Sequence, residues 1–314
     1  MVDLRPGFSD DVDTLSSIER LKFDDGTFST DVEKFNVLQS MPGWTAVAGD
    51  FNGDGTTDLL WDNGAAGVLG TWLMNNGQIA GTVALNHNMP GWTPLVGDFN
   101  GDGTSDLLWN NGAAGMLGVW LMKDGQIAQT IDLHHNMPGF TALVGDFNGD
   151  GTSDLLWKEG ATGMLGTWLM KDGQIAQTID LQHNMPGFTA LVGDFNGDGT
   201  SDLLWTHGPE NSTAIWIMKD GRIAETIDLH HDMPGWTVAS IGDFNHDGTC
   251  DILWRDNAGN TGIWIMQGGQ IAATFATGPA VGWAAGPQGD FDHNGVSDLI
   301  WQQTNGTVAT WLLT

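Results

Sequence analysis

The chain is expected to fold as an all-β protein, a six-bladed β-propeller built of four-stranded antiparallel blades. Three observations predict it. A nine-residue string, Asp-Phe-Asn-Gly-Asp-Gly-Thr-Thr-Asp from Asp50, returns from Asp98, Asp146, Asp194, Asp243 and, more loosely, Asp290, at intervals of 48, 48, 48, 49 and 47 residues. All 16 tryptophans occupy repeat positions, closing each Asp-Leu-Leu-Trp run (Trp61), 10 or 11 residues beyond it (Trp72), or following Met-Pro-Gly or its variant (Trp44). Each unit divides into short strand-like runs separated by turn residues, with no sustained helical period.

The elements follow in order. Residues 1–31 differ in composition from the rest and are set apart from a propeller spanning 32–314. Within the first unit, Thr45–Gly49 is a strand of small residues, suited to an innermost position near the axis. An acidic loop then leads to a second strand at Asp58–Trp61, a third at Val68–Met74 and a fourth at Gln78–Leu85. Asn75-Asn76-Gly77 joins the last two, and Asn-Gly favours the positive φ of a tight hairpin. The sixth unit ends at Thr314, after its third strand. Residues 32–38 look like an orphan fourth strand, since Phe35 and Val37 precede Met41 as Ile179 and Leu181 precede Met185. Docked on the last blade, they would close the ring and cover two sheet edges. A seventh blade supplied by a continuation of the chain or by a partner is the alternative.

Charge narrows the function. With 39 acidic against 10 basic residues the formal net charge is −29, which excludes a basic phosphate-backbone binder and disfavours anionic membranes. No apolar run of about 18 residues exists to span a bilayer as a helix. The single cysteine, Cys250, excludes an internal disulfide framework and a cysteine-rich zinc site.

Eighteen of the 39 acidic residues lie in the repeated loops. Numbered from its first Asp, each loop has side-chain oxygens at positions 1, 3, 5 and 9, with a backbone carbonyl available at position 7. The sets are Asp50, Asn52, Asp54, Thr56, Asp58; Asp98, Asn100, Asp102, Thr104, Asp106; and Asp146, Asn148, Asp150, Thr152, Asp154. The remaining three are Asp194, Asn196, Asp198, Thr200, Asp202; Asp243, Asn245, Asp247, Thr249, Asp251; and Asp290, Asp292, Asn294, Val296, Asp298. Hard oxygen ligands in this number suit Ca²⁺ at roughly 2.3–2.6 Å. Zinc would want His or Cys at those positions, and magnesium a smaller shell with retained water. A lone copy would be read as a surface turn. Six copies are not, because without metal each carboxylate pair about 4 Å apart would cost about 4 kcal/mol at an effective dielectric of about 20. About six Ca²⁺ ions, one per blade and structural in role, are therefore expected.

Asp-Phe-Asn-Gly-Asp-Gly-x-x-Asp followed by Leu-Leu-Trp resembles the FG-GAP/VCBS repeats of integrin-α-like β-propellers, over about 41–314. The resemblance implies calcium between the first two strands of each blade. Some relatives are lectins with sites between adjacent blades, and others are adhesion modules or parts of larger secreted proteins. The glycine-rich segment survives as Gly64-Ala65-Ala66-Gly67 and disappears in the fourth unit, at Gly208-Pro209-Glu210-Asn211. Asp13 to Gly26 is similar to the segment that follows nonapeptide repeats in RTX-type secreted proteins, which implies a fragment of a longer bacterial exported protein.

A second kind of site is expected at the connections between blades, opposite the acidic loops. Candidate ligand residues are His87, Asn88 and Trp92; His135, Asn136 and Phe140; His183, Asn184 and Phe188; and His231 and Trp236. Aromatic faces stack on sugar CH surfaces while amide and imidazole groups fix hydroxyls. The same aromatics could instead wedge between blades, with the His-Asn pairs capping turns. Catalysis is not expected: Gly-x-Ser-x-Gly and His-Glu-x-x-His are both missing, and Cys250 merely stands where other loops have Ser or Thr. The expected protein is a secreted, extracellular, monomeric calcium-binding module, multivalent for glycans or a cell-surface protein and without nucleic-acid or membrane-insertion roles. The alternative is a non-catalytic spacer or protein-interaction platform.

Overall fold

The computed structural model describes residues 34–313, apart from 39, 65, 112–113 and 208–211. The segment 1–31 and residues 32–33 of the expected closing strand lie outside the described residues. Strand β1 is Lys34–Val37. Blade 1 comprises β2 (Thr45–Gly49), β3 (Asp58–Asn63), β4 (Val68–Asn75) and β5 (Gln78–Asn88). Blade 2 comprises β6 (Thr93–Gly97), β7 (Asp106–Asn111), β8 (Met116–Lys123) and β9 (Gln126–Asn136). Blade 3 comprises β10 (Phe140–Gly145), β11 (Asp154–Glu159), β12 (Met164–Lys171) and β13 (Gln174–Asn184). Blade 4 comprises β14 (Phe188–Gly193), β15 (Asp202–His207), β16 (Ser212–Lys219) and β17 (Arg222–Asp232). Blade 5 comprises β18 (Trp236–Gly242), β19 (Asp251–Asp256), β20 (Asn260–Gln267) and β21 (Gln270–Pro279). Blade 6 holds β22 (Trp283–Gly289), β23 (Asp298–Gln303) and β24 (Val308–Leu312), and its sheet runs β1-β24-β23-β22.

The second strand of each blade is covered on both faces, which explains its unbroken apolar run. In β3, Leu59 and Trp61 enter a core shared with Phe291 and Ile300 of blade 6, while Leu60 enters the core shared with Leu107 and Trp109 of blade 2. Each of the six cores is thus a seam between neighbouring blades, and the aromatic pair Trp61–Trp72, with ring centroids 4.8 Å apart, fills one side of it. Burying the large side chains between sheets makes each blade depend on its neighbour.

The seams are also hydrogen-bonded near the axis. The backbone N–H groups of Ser105, Ser153, Ser201, Cys250, Ser297 and Thr57 donate to the carbonyls of Asp50, Asp98, Asp146, Asp194, Asp243 and Asp290 at 2.6–2.8 Å. The last of these links blade 1 to blade 6, so the ring is complete at the level of the acidic loops. Close approach there demands glycine: a Cβ on Gly49 would lie 2.6 Å from Val96 Cγ1 and 2.9 Å from Ser105 Cβ.

The Asn76-Gly77 hairpin has two consecutive positive φ values, 48° and 69°, as its sequence predicts. The fourth strand differs from expectation. It runs to Asn88 rather than Leu85, because Asn86 adopts φ 52° and absorbs a bulge between the pairs Gly70↔Ala84 and Val68↔Asn88. The His-Asn residues expected in the connections therefore lie at the ends of these outer strands.

Candidate metal centre and inter-blade clefts

Each acidic loop joins the first and second strands of its blade. In the first, Asp50 Oδ1 accepts hydrogen bonds from the backbone of Gly53 (2.7 Å) and Asp54 (3.2 Å), and Oδ2 from Gly55 (2.8 Å). Asn52 Oδ1 accepts from Asp54 N, and Asp54 Oδ1 accepts from Thr56 N at 2.8 Å. Asp58 is fully buried; its Oδ2 accepts from Phe51 N at 3.1 Å and its Oδ1 from Met74 N at 2.8 Å, tying loop to third strand. The first-position pattern recurs at Asp98, Asp146 and Asp194, and in reduced form at Asp243 and Asp290. Position 9 (Asp58, Asp106, Asp154, Asp202, Asp251, Asp298) is buried throughout, as is position 7 (Thr56, Thr104, Thr152, Thr200, Thr249, Val296).

Burial pushes the Asp58 carboxyl up to about 7, opposed by the N–H groups of Met74 and Phe51 and reinforced by the charges of Asp54 and Asp50. All five counterparts are likewise pushed up to about 7, with burial the leading cause. A buried carboxylate beside two more, short of a counter-charge, fits a divalent cation: the ion would restore the ionised form, and the donor set is all oxygen. In the sixth loop Asp290, Asp292 and Asp298 each place a carboxylate oxygen within 4.8 Å of the others, a span one ion could bridge. The other loops carry Asn at position 3, where Asn52 Nδ2 donates to Asp54 Oδ2 at 2.9 Å. Cys250, at the eighth position of the fifth loop, has its thiol pushed up to about 12 by burial.

A cleft of about 480 Å³ opens at the seam between blades 1 and 2. Its walls include Met89, Trp92, Trp109 and Trp120, and its lip carries Asp132, His134 and Asn136. Trp109 and Trp120 lie 4.9 Å apart at 57°, and the buried Trp109 indole N–H has no hydrogen-bond partner among the described residues. A related cleft of about 220 Å³ at the seam between blades 4 and 5 is lined by Met233, Trp236, Trp254, Trp264 and Thr274.

Of the predicted ligand residues, Trp92 and Asn136 line the first cleft and Trp236 the second. His87, His135, His183 and His231 stay exposed outside both clefts, each with one edge of its ring against Trp120, Trp168, Trp216 or Trp264 at 5.1, 5.2, 5.4 and 5.6 Å. The Nδ1 of each hydrogen-bonds the carbonyl two residues back, as in His87 with Leu85 at 2.7 Å. Asn88 and Asn184 are exposed at the bulge, paired with Val68 and Met164. Phe140 and Phe188 pack on the cores of their seams, Phe188 also stacking on His207 at 4.2 Å. Sequence reasoning missed Asp132 and His134 as cleft residues, whereas Trp109 and Trp120 are buried seam core that also borders the cleft. Asp132 had a legible signal, since its counterparts are Asp180 and Asp228 but Ala84 in blade 1.

Fold and loops together define a β-propeller with a repeated acidic turn. Family models place it further: residues 98–157 and 194–254 match the FG-GAP-like repeat and residues 42–85 the FG-GAP repeat. The chain belongs to the FG-GAP repeat family. No curated protein sequence matches it. Among solved structures, it is similar to an Agrocybe aegerita lectin described as recognising non-reducing terminal N-acetylglucosamine (TM-score 0.59, 14% identity, 83% of this chain and 75% of the lectin). It also resembles part of the Photorhabdus luminescens Tc holotoxin pore (TM-score 0.61, 17% identity), spanning 89% of this chain but 14% of that one. The calcium-binding protein regucalcin of Agrobacterium tumefaciens is a third (TM-score 0.53, 13% identity, 88% and 92% covered). At these identities the likeness is one of fold.

Proposed function

We propose that this chain is a non-catalytic, calcium-stabilised propeller module of a secreted bacterial protein that binds carbohydrate at more than one seam. The observation that carries the reading is the cleft between blades 1 and 2, where Trp92 and Trp120 supply apolar walls and Asp132, His134 and Asn136 supply a polar lip. That combination suits a sugar, whose CH face prefers an aromatic surface while its hydroxyls seek acceptors and donors. Repetition around the ring adds avidity from weak single contacts. The likeness to the Agrocybe aegerita lectin supports the reading at the level of fold. Six loops with a buried, uncompensated carboxylate support one structural Ca²⁺ per blade, and an extracellular setting would supply that ion.

Glycan-array binding by the whole chain in millimolar calcium tests this. Binding that Trp120→Ala weakens sustains the proposal; silence across the array at high glycan density defeats it. The spacer or protein-interaction reading has one observation in its favour, that the four imidazoles at 87, 135, 183 and 231 line neither cleft.

A further inference from the structure

We infer that the seams are not equivalent: the ligand-competent clefts are those of blades 2, 3 and 4, and they take neutral rather than acidic saccharides through Asp132, Asp180 and Asp228. This rests on the carbohydrate reading above and adds valence and ligand class to it.

Sheet register identifies the position. On the outer strand, Ala84, Asp132, Asp180, Asp228 and Ala276 are the Cα partners of Gly70, Gly118, Gly166, Ala214 and Gly262. In blade 6 the matching partner of Ala309 is Val37, which thus stands at the Asp180 position and not, as its distance from Met41 suggested, at that of Leu181. One structural position thus carries a carboxylate in three consecutive blades and an apolar residue in the other three.

The three carboxylates are also held in place. Asp132 Oδ1 accepts the N–H of His134, Asp180 Oδ1 that of Gln182, and Asp228 Oδ1 that of His230, each at 2.8 Å. The donors sit in the left-handed region at φ 53°, 55° and 51°, in the bulge that ends the strand. One oxygen is therefore pinned while the group stays open to solvent: the Asp132 side chain is 70% exposed, with Oδ2 3.4 Å from His134 Nδ1. Asp228 repeats this with His230 at 3.3 Å. A fixed carboxylate of this kind accepts hydrogen bonds from two neighbouring hydroxyls of a sugar. The two clefts described above differ in the same sense, about 480 Å³ where Asp132 stands and about 220 Å³ where Ala276 does. A uronate or sialate would bring its own carboxylate against Asp132 on a chain of net charge −29, so acidic sugars are rejected.

The test has two stages. An array of neutral, sialylated and uronate-bearing glycans is probed with the full chain in calcium, and the best neutral saccharide is then counted on the chain by native mass spectrometry. The expected result is preference for neutral glycans and three bound saccharides. Asp132→Asn, Asp180→Asn and Asp228→Asn should each weaken one site about tenfold or more and remove one bound sugar, at unchanged melting temperature. Preference for acidic glycans, or any count other than three, overturns the inference while leaving carbohydrate binding intact. An array with no binding at all overturns both.

Discussion

Blades 2 and 3 are near-copies, and where they differ separates two regions of the molecule. Units 101–148 and 149–196 depart from one another at Asn110/Lys158, Asn111/Glu159, Ala114/Thr162, Val119/Thr167 and His134/Gln182. None of these pairs falls in the acidic loops. Four of the five lie at the opposite end, in the last two residues of the second strand, the turn after it or the bulge of the fourth. The loop end works as a frame: six hydrogen bonds link each loop to the next around the axis, so a change in one loop strains its neighbour. Among the described residues the far end has no such hoop, and side chains there can vary with little effect on the ring. Lys158 illustrates this, its Nζ donating to the Phe188 carbonyl where blade 2 has Asn110 at the same place.

The sharpest way to break the comparison is to remove divalent ions, which should damage only the frame. Chelation is expected to lower the melting temperature by about 10 °C or more, since each site at a hundredfold excess over Kd contributes about 2.7 kcal/mol. Calorimetry in excess chelator that reproduces the calcium melt would remove the metal from the account. Next in size is Asp58→Asn, which deletes one buried charge and leaves one amide hydrogen facing the N–H donor of Phe51 or Met74. Its expected cost is about 1–3 kcal/mol in calcium by denaturant melts, against about 0.5 kcal/mol or less for Lys158→Asn at the far end. Equal costs would erase the distinction between the two ends.

Acidity sharpens it further. The position-9 carboxyls have folded pKa values of about 7, above the ordinary value of 3.8. In the metal-free protein the folded state therefore holds more protons than the unfolded one across that interval. Stability in chelator should rise as pH falls from about 7 towards 4. In calcium the order reverses over the same window, because protons then compete with the ion. Melting curves at pH 5 and 7 with and without chelator check the crossing. An effect between those of Asp58→Asn and Lys158→Asn is expected of Thr167→Val, which loses the Oγ1 hydrogen bond to the Gly221 carbonyl at 2.7 Å. Blade 2 already carries Val119 there, so about 1 kcal/mol is expected.

Much of this was legible in the chain. Six copies at near-equal intervals counted the blades, and Asn76-Gly77 announced its hairpin because only a few residues tolerate two positive φ values in succession. Spacing alone put Asp58 in one short acidic loop with Asp50 and Asp54, whose charges help to raise its carboxyl once it is buried. The fate of His87 was not legible. Its Nδ1 is taken by Leu85, two residues away, but its ring meets Trp120 of the next blade, and nothing local predicts which face of a seam an imidazole will find. Asp132 was missed for a related reason. Its role depends on the bulge that turns the backbone of His134 back towards it, and on a cleft whose walls come from separate strands.

The sequence by itself determined the repeat, the blade count and the chemistry of the acidic turns, because these are short-range properties of spacing, turn preference and charge. Tertiary structure alone decided which aromatic and polar side chains stand free at a seam and which are consumed in packing. That choice depends on how two twisted sheets meet, and the two contributing residues lie tens of positions apart in the chain, where no local pattern couples them.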